Sequence, residues 1–448
     1  MPVPVVSAGF VISLLVLFMI FVENVGGTED HNEITLTILF NEIVTRPNAG
    51  KLLIDKALET LRNETDSKIN VNYLEFKSNN STRDEISRVL SNQTPIDIIT
   101  LDQIWLGEFA QKGLLTDLTN YTEQLWDRNG DEEWYFQNWE GGKYQSGIYG
   151  IWAWTDVRGI WYWKDLLQKA GVDPNLLKTW DGYIEASKRL NRVLRPEGIE
   201  GTHLVGAVHS PDMWYPYLWM LGGEILQQKD GHPTKNVYWF PAFNSSEGVR
   251  AMEFIKLQVD SGIRPQKIHF WGNEFLDRKF AVMIEGSWMP TRAQSKIQNS
   301  IPSQNFEERV GFLPMFPVPN EGDQTSTLMG GWEFAIPTAS HHKDLAWKLI
   351  TLILEPDILA PWLVEHRLLP TQVTIGEGES RFNASYSYPY YDEMISAIPF
   401  GGARPNIPEY SQIAHYINEA INAVYNGTMD PKEALNDAAS KSALISGW

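Results

Sequence analysis

Apolar and polar positions along the chain switch between a two-residue and a 3.6-residue period. At 33–39 Ile, Leu and Thr dominate, which predicts a β-strand. Ile54, Ala57, Leu58 and Leu61 then recur at helical spacing. Residues 70–76 read as a second strand and 81–90 as a helix with one polar face. Residues 96–101 read as a short buried strand that ends at Asp102. Farther on, Thr179 has the position of an N-cap for a helix running to about Arg192. Val249, Met252, Ile255 and Val259 share one helical face. Residues 280–285 form a strand that stops at Gly286, and 333–336 form another. Two helices follow, one carrying Leu345, Leu349, Ile350 and Ile353, the other Ile413, Tyr416, Ile417, Ala420, Ile421 and Val424.

Strand–helix alternation of this kind implies an α/β protein whose parallel sheet is covered by helices on both faces. Ligands on such sheets sit beyond the carboxyl ends of the strands, where Asp102 stands. A chain of 448 residues exceeds what one compact core organises, so two lobes are expected. Nothing marks a clean linker between them, and no internal repeat occurs. The lobes should therefore be interwoven by several crossovers.

Charge and composition narrow the class. Apolar residues at 43% and charged residues at 21% are ordinary for a soluble globular protein. A net charge of −19 excludes nucleic acid as a partner and disfavours docking on an anionic membrane surface. Cysteine is absent, which removes disulfides, thiolate catalysis, Cys-ligated zinc and a lipid-modified cysteine tether. Residues 2–22 carry no charged side chain and centre on FVISLLVLFMIFV, long enough to span a bilayer. Val25, Gly26 and Gly27 are small enough for a cleavage site, although Lys and Arg are missing ahead of the apolar run. The segment 1–32 is therefore targeting and spacer, as an uncleaved anchor or a cleaved signal. Sequons at Asn63, Asn79, Asn80, Asn92, Asn120, Asn244, Asn383 and Asn426 fit an extracellular, N-glycosylated surface. Together with the missing lipid-attachment cysteine they fit, by analogy, an archaeal exterior.

The chain contains no P-loop, no G-x-S-x-G elbow, no H-E-x-x-H and no dinucleotide fingerprint. Asp127, Asn129 and Asp131 alternate as calcium ligands do, but Glu132 replaces the glycine that such a loop needs, and a solvated acidic loop is the better reading. The adjacent His341 and His342 read as a solvated helix start. No cofactor and no metal are expected. Aromatic residues are abundant instead: Trp 18, Tyr 17 and Phe 19. Trp152, Trp154, Trp288 and Trp332 sit beside polar groups and turn glycines. An aromatic plate takes the apolar face of a sugar, while carboxylates, amides and arginines take its hydroxyls. Core packing is the competing role for each tryptophan.

These segments resemble a known family. IDIITLDQIWLGEFAQKGLLTDLT is similar to a first-lobe segment of the extracellular solute-binding proteins of ABC sugar importers (family 1), of the archaeal maltose/trehalose-binding type. YGIWAWTDVRGIWYWKDLLQKAGVDPNLLKTWDGYIEASKRL resembles the crossing into the second lobe. FAVMIEGSWMP, MGGWEFAIPTASHHKDLAWKLITLI, RLLPTQ and ARPNIPEYSQIAHYINEAINAVYNG resemble later segments in the same order. The resemblance covers about Glu33 to Ser446.

It implies a two-lobed periplasmic-binding-protein-like fold (type II) with the ligand in the interlobe cleft. Lobe 1 would comprise 33–150 and about 289–340, lobe 2 would comprise 151–288 and about 341–448. It also implies ligand-binding roles for Glu42, Asp102, Trp154, Asp156, Trp288, Gly330, Gly331, Trp332 and Arg404. Asp102 and Arg404 would hold hydroxyls, Gly330, Gly331 and Trp332 would form a turn whose backbone approaches the sugar, and Glu42 would come from the first loop. The return turn reads WMP, without the aromatic that often follows Trp288's counterpart, which leaves one subsite open. The implied function is capture of a di- or oligosaccharide at the extracellular face, by a monomer, for ABC permease subunits, with no bond made or broken. Two alternatives share parts of this pattern. A secreted glycoside hydrolase would need a carboxyl pair such as two of Asp102, Asp156 and Glu285. A binder of the same fold could take a peptide or polyamine.

Overall fold

The computed structural model describes residues 33–41, 48–65, 68–76, 82–126, 133–202, 210–228, 239–263, 273–296, 306–377 and 388–447. The first three strands are β1 (Glu33–Asn41), β2 (Lys68–Phe76) and β3 (Ile98–Asp102). A small hairpin, β4 (Lys143–Tyr144) and β5 (Gly147–Ile148), precedes the long β6 (Ile151–Trp163). Then come β7 (Glu200–Thr202) and a second hairpin, β8 (Leu226–Gln228) and β9 (Trp239–Pro241). The last four are β10 (Phe280–Gly286), β11 (Val310–Leu313), β12 (Thr327–Ala335) and β13 (Gly401–Gly402).

Apart from the hairpins, the strands join in the order β2-β1-β3-β12-β6-β10-β7, with β11 also on β6 and β13 also on β12. β1 runs parallel to β2 and β3, and β10 runs parallel to β7. β12 is antiparallel to β3 and β6, and β6 is antiparallel to β10 and β11. The purely parallel sheet expected from the alternation is thus a mixed one. The long strands β6 and β12 carry the chain across the sheet and back, and a returning strand beside an outgoing one must be antiparallel.

The helices follow the apolar spacing. Ala49–Glu64 buries Leu53, Ile54, Ala57, Leu58 and Leu61 on one side. Thr179 caps Trp180–Leu194, its hydroxyl accepting from the Gly182 N–H at 3.2 Å. His342 stands at the N-terminus of Lys343–Leu354.

Two large apolar cores result. One gathers side chains from Leu36 to Trp154 and from Trp332 to Ile375. The other is built mainly from Val157 to Met329 and from Tyr388 to Ala439. A smaller cluster around Leu39, Ile99, Leu101 and Phe109 lies on the β1–β3 side. Both long strands change core at their middles: β6 between Trp154 and Val157, β12 between Met329 and Trp332. The division expected from the sequence meets a different packing here. Met289, Phe306, Val310 and Phe316 join the second core, and Leu349, Ile353, Leu359 and Leu363 join the first. The helix Lys343–Leu354 returns to cover Ala49–Glu64 because its apolar face matches the open side of that helix.

Asn63, Asn92, Asn120 and Asn426 are exposed, and Asn244 is half-buried with its amide bonded to Asn436 at 2.9 Å. Asn79, Asn80 and Asn383 lie outside the described residues, as do 1–32, Glu42, Asp127, Asn129 and Asp131.

Candidate functional site

The places where β6 and β12 change core face each other, because the strands pair: Gly330 is opposite Asp156, Gly331 opposite Thr155, and Trp332 opposite Trp154. On its other side Trp332 is opposite Asp102, the last residue of β3. Asp102, Asp156, Gly330, Gly331 and Trp332 therefore share one seam. Close pairing there demands glycine. A Cβ on Gly330 would lie 2.9 Å from the Asp156 carboxylate, and one on Gly331 would lie 2.6 Å from the Trp152 ring. The Gly330 N–H donates to Asp156 Oδ1 at 3.2 Å.

Arg404 arrives from the segment after β13. Its guanidinium bridges two elements, with Nη2 3.3 Å from Asp102 Oδ1 and Nη1 3.4 Å from Asp212 Oδ2. That segment is anchored on the helix Gln103–Gln111. Gln103 Nε2 donates to the Arg404 carbonyl at 3.0 Å, and the Gly107 N–H donates to Asn406 Oδ1 at 2.5 Å. Asp102 also caps this helix, accepting from the Ile104 N–H at 3.3 Å. Beside it, Arg158 contacts the Asp156 carboxylate and lies over Trp288, 4.8 Å from the ring centroid.

The charges act on one another. Burial pushes the Asp102 carboxyl above the usual carboxylate range, against the pull of Arg404. Burial, and then the neighbouring Arg404, pulls Arg158 down to about 10, while Asp212, Glu285 and Asp102 oppose that. Burial alone would lower Arg404 too, but Asp102 and Asp212 outweigh it and hold its guanidinium above the ordinary value.

Asp102, Asp156, Trp288, Gly330, Gly331, Trp332 and Arg404 are thus assembled at or beside the seam. Trp154 is not available there. It is 1% exposed, packed against Phe40 and Trp362 in the first core, with ring centroids 5.7 and 5.4 Å away. Trp332 is 7% exposed and meets Trp105 edge-on at 6.0 Å. Arg158, Asp212 and Trp105 were missed from the sequence, and Glu285 was singled out there only as a member of a hydrolytic carboxyl pair. Arg158 left a signal, since it is a charged residue inside the apolar run IWAWTDVRGIWYW. Asp212 left none beyond being an acid near a turn.

Two α/β cores joined by paired crossing strands, with charged and aromatic groups at the seam, define a binding protein of the two-lobed periplasmic type. Solved structures agree. The tagatose-bound ABC transporter solute-binding protein of Thermotoga lettingae matches 92% of this chain and 100% of its own, with TM-score 0.70 and 23% identity. The cyclic α-maltosyl-1,6-maltose-binding protein of Arthrobacter globiformis matches 92% and 99%, with TM-score 0.73 and 20% identity. A binding protein of Brucella abortus is 24% identical over 362 residues, 80% of this chain and 81% of that protein. The model of the bacterial extracellular solute-binding protein family matches residues 48–359, and the chain belongs to that family. It is a family of substrate-binding proteins, not of enzymes.

Proposed function

We propose that this chain captures a carbohydrate at the extracellular face of the membrane and delivers it to the permease subunits of an ABC transporter. The observation that carries this reading is the seam itself. Segments as distant as Asp102, Asp156, Trp332 and Arg404 meet where both crossing strands change core. Its carboxylates and guanidiniums suit hydroxyls, its indoles suit the apolar faces of sugar rings, and the structural neighbours named above bind sugars. Ligand-binding roles go to Asp102, Asp156, Trp288, Gly330, Gly331, Trp332 and Arg404, and Glu42 is retained from the resemblance. Trp154 supports the seam from behind. The two cores act as lobes that hinge at 154–157 and 329–332, and a ligand touching both favours the closed state. Glycans on the exposed sequons and a membrane-held N-terminal segment complete the proposal.

A thermal-shift screen against mono- and oligosaccharides tests it. A sugar that binds only the folded chain raises the apparent melting temperature with concentration. Failure of every sugar to do so, with a shift given by a peptide, would replace sugar with another solute.

A further inference from the structure

Among the described residues the seam holds more acid than base. Asp102, Asp156, Asp212 and Glu285 surround two guanidiniums, those of Arg158 and Arg404. Each guanidinium is already matched: Arg404 lies between Asp102 and Asp212, and Arg158 lies on Asp156 with Glu285 close enough to act on it. Both are more than nine-tenths buried, at 7% and 8% exposure, and neither Nε has a hydrogen-bond acceptor among the described residues. Those N–H groups suit a neutral hydroxyl oxygen from a ligand. The carboxylates stay open to one as well, since the side chains of Asp102, Asp156 and Asp212 keep 23%, 19% and 21% exposure. Among the described residues, a carboxylate or phosphate entering here would find no unmatched cation and three part-exposed acids, Asp102, Asp156 and Asp212. An ammonium group would find acids in surplus. Outside the seam the net charge of −19 biases approach the same way.

We propose that the seam selects by charge, binding an amino sugar at least as tightly as its neutral parent and rejecting the anionic form, with Asp212 as a residue that sets this selectivity. The proposal takes its ligand scaffold from the sugar reading above.

Matched probes test it by titration calorimetry on the full chain: trehalosamine, trehalose and trehalose 6-phosphate, and glucosamine, glucose and glucuronate. In whichever series binds, the anionic member should bind at least about tenfold more weakly than the neutral one. Asp212→Asn should shrink that ratio by about threefold or more, a change in selectivity that loss of packing alone would not give. An anionic form that binds as well as its neutral parent overturns the charge selection and leaves the sugar reading standing. An unchanged ratio in Asp212→Asn removes Asp212 from it. Binding of spermidine with no response to any sugar supports the charge selection and sinks the sugar reading. Silence from every probe overturns both.

Discussion

Trp332 is only 7% exposed, so any ligand it meets rests on a small part of its side chain. Trp332→Ala should weaken sugar binding by roughly 1–3 kcal/mol, the range for an anchoring aromatic truncated to alanine. The same burial means that alanine also leaves a cavity, at a stability loss of about 3–5 kcal/mol. Trp332→Phe separates the effects, since it fills most of the space and keeps a smaller plate. Calorimetry showing full affinity in the alanine variant would take Trp332 out of the site. Asp102 has two jobs in the structure: it caps Gln103–Gln111 and faces Arg404. Asparagine caps as well as aspartate but carries no charge. Asp102→Asn should therefore cost roughly 1.5–3 kcal/mol of binding with little change in the melting temperature of the free protein. Asp156→Asn should cost a similar amount of binding, because Asp156 serves Gly330 and Arg158 at the same seam. If either variant melts early and binds normally, that acid belongs to the scaffold.

Most elements could be read from side-chain spacing because each buries one face. The helix with Leu345, Leu349, Ile350 and Ile353 is found at Lys343–Leu354, and the strand ending at Gly286 is found as β10. Asp102 was legible for a related reason: a buried strand that ends in an acid places it beyond the sheet. Trp154 was not, since a tryptophan beside polar neighbours on a strand reads alike whether it lies in a core or at a cleft. Which core a helix joins was also hidden, because periodicity gives a helix its apolar face and says nothing of the surface that face meets. β12 also carries Glu333, fully buried next to Trp332 and packed against Gly150. Burial, and then the charge of Asp102, holds its carboxyl well above the usual range. Below about pH 4.5 it is protonated in both folded and unfolded chains. As pH rises further the unfolded chain releases the proton and the folded chain keeps it. Stability should then fall by up to about 1.4 kcal/mol per pH unit from this group, until the folded carboxyl ionises too. Glu333→Gln removes that descent, so urea midpoints at pH 5, 7 and 9 should decline less than in the native chain. Parallel declines would mean that Glu333 ionises in the folded state as easily as in the unfolded one.

At the scale of the molecule, charge and hydrophobicity oppose each other at the membrane. A chain of net charge −19 is repelled by an anionic leaflet, so electrostatic adhesion cannot hold it there. In the proposed reading the uncharged stretch 2–22 does so instead, since without cysteine no thioether-linked lipid is available. Apolar anchoring and ionic adsorption respond differently to salt: screening weakens the second and leaves the first intact. The native protein is therefore expected in the membrane fraction, to remain there through a high-salt wash, and to come off with detergent. Held this way, the two lobes would stay near their permease. Release by salt would point to adsorption through a partner. Recovery of most of the protein in soluble form, with an N-terminus near Thr28, would show that the segment is a cleaved signal and that the binding protein diffuses freely to its transporter.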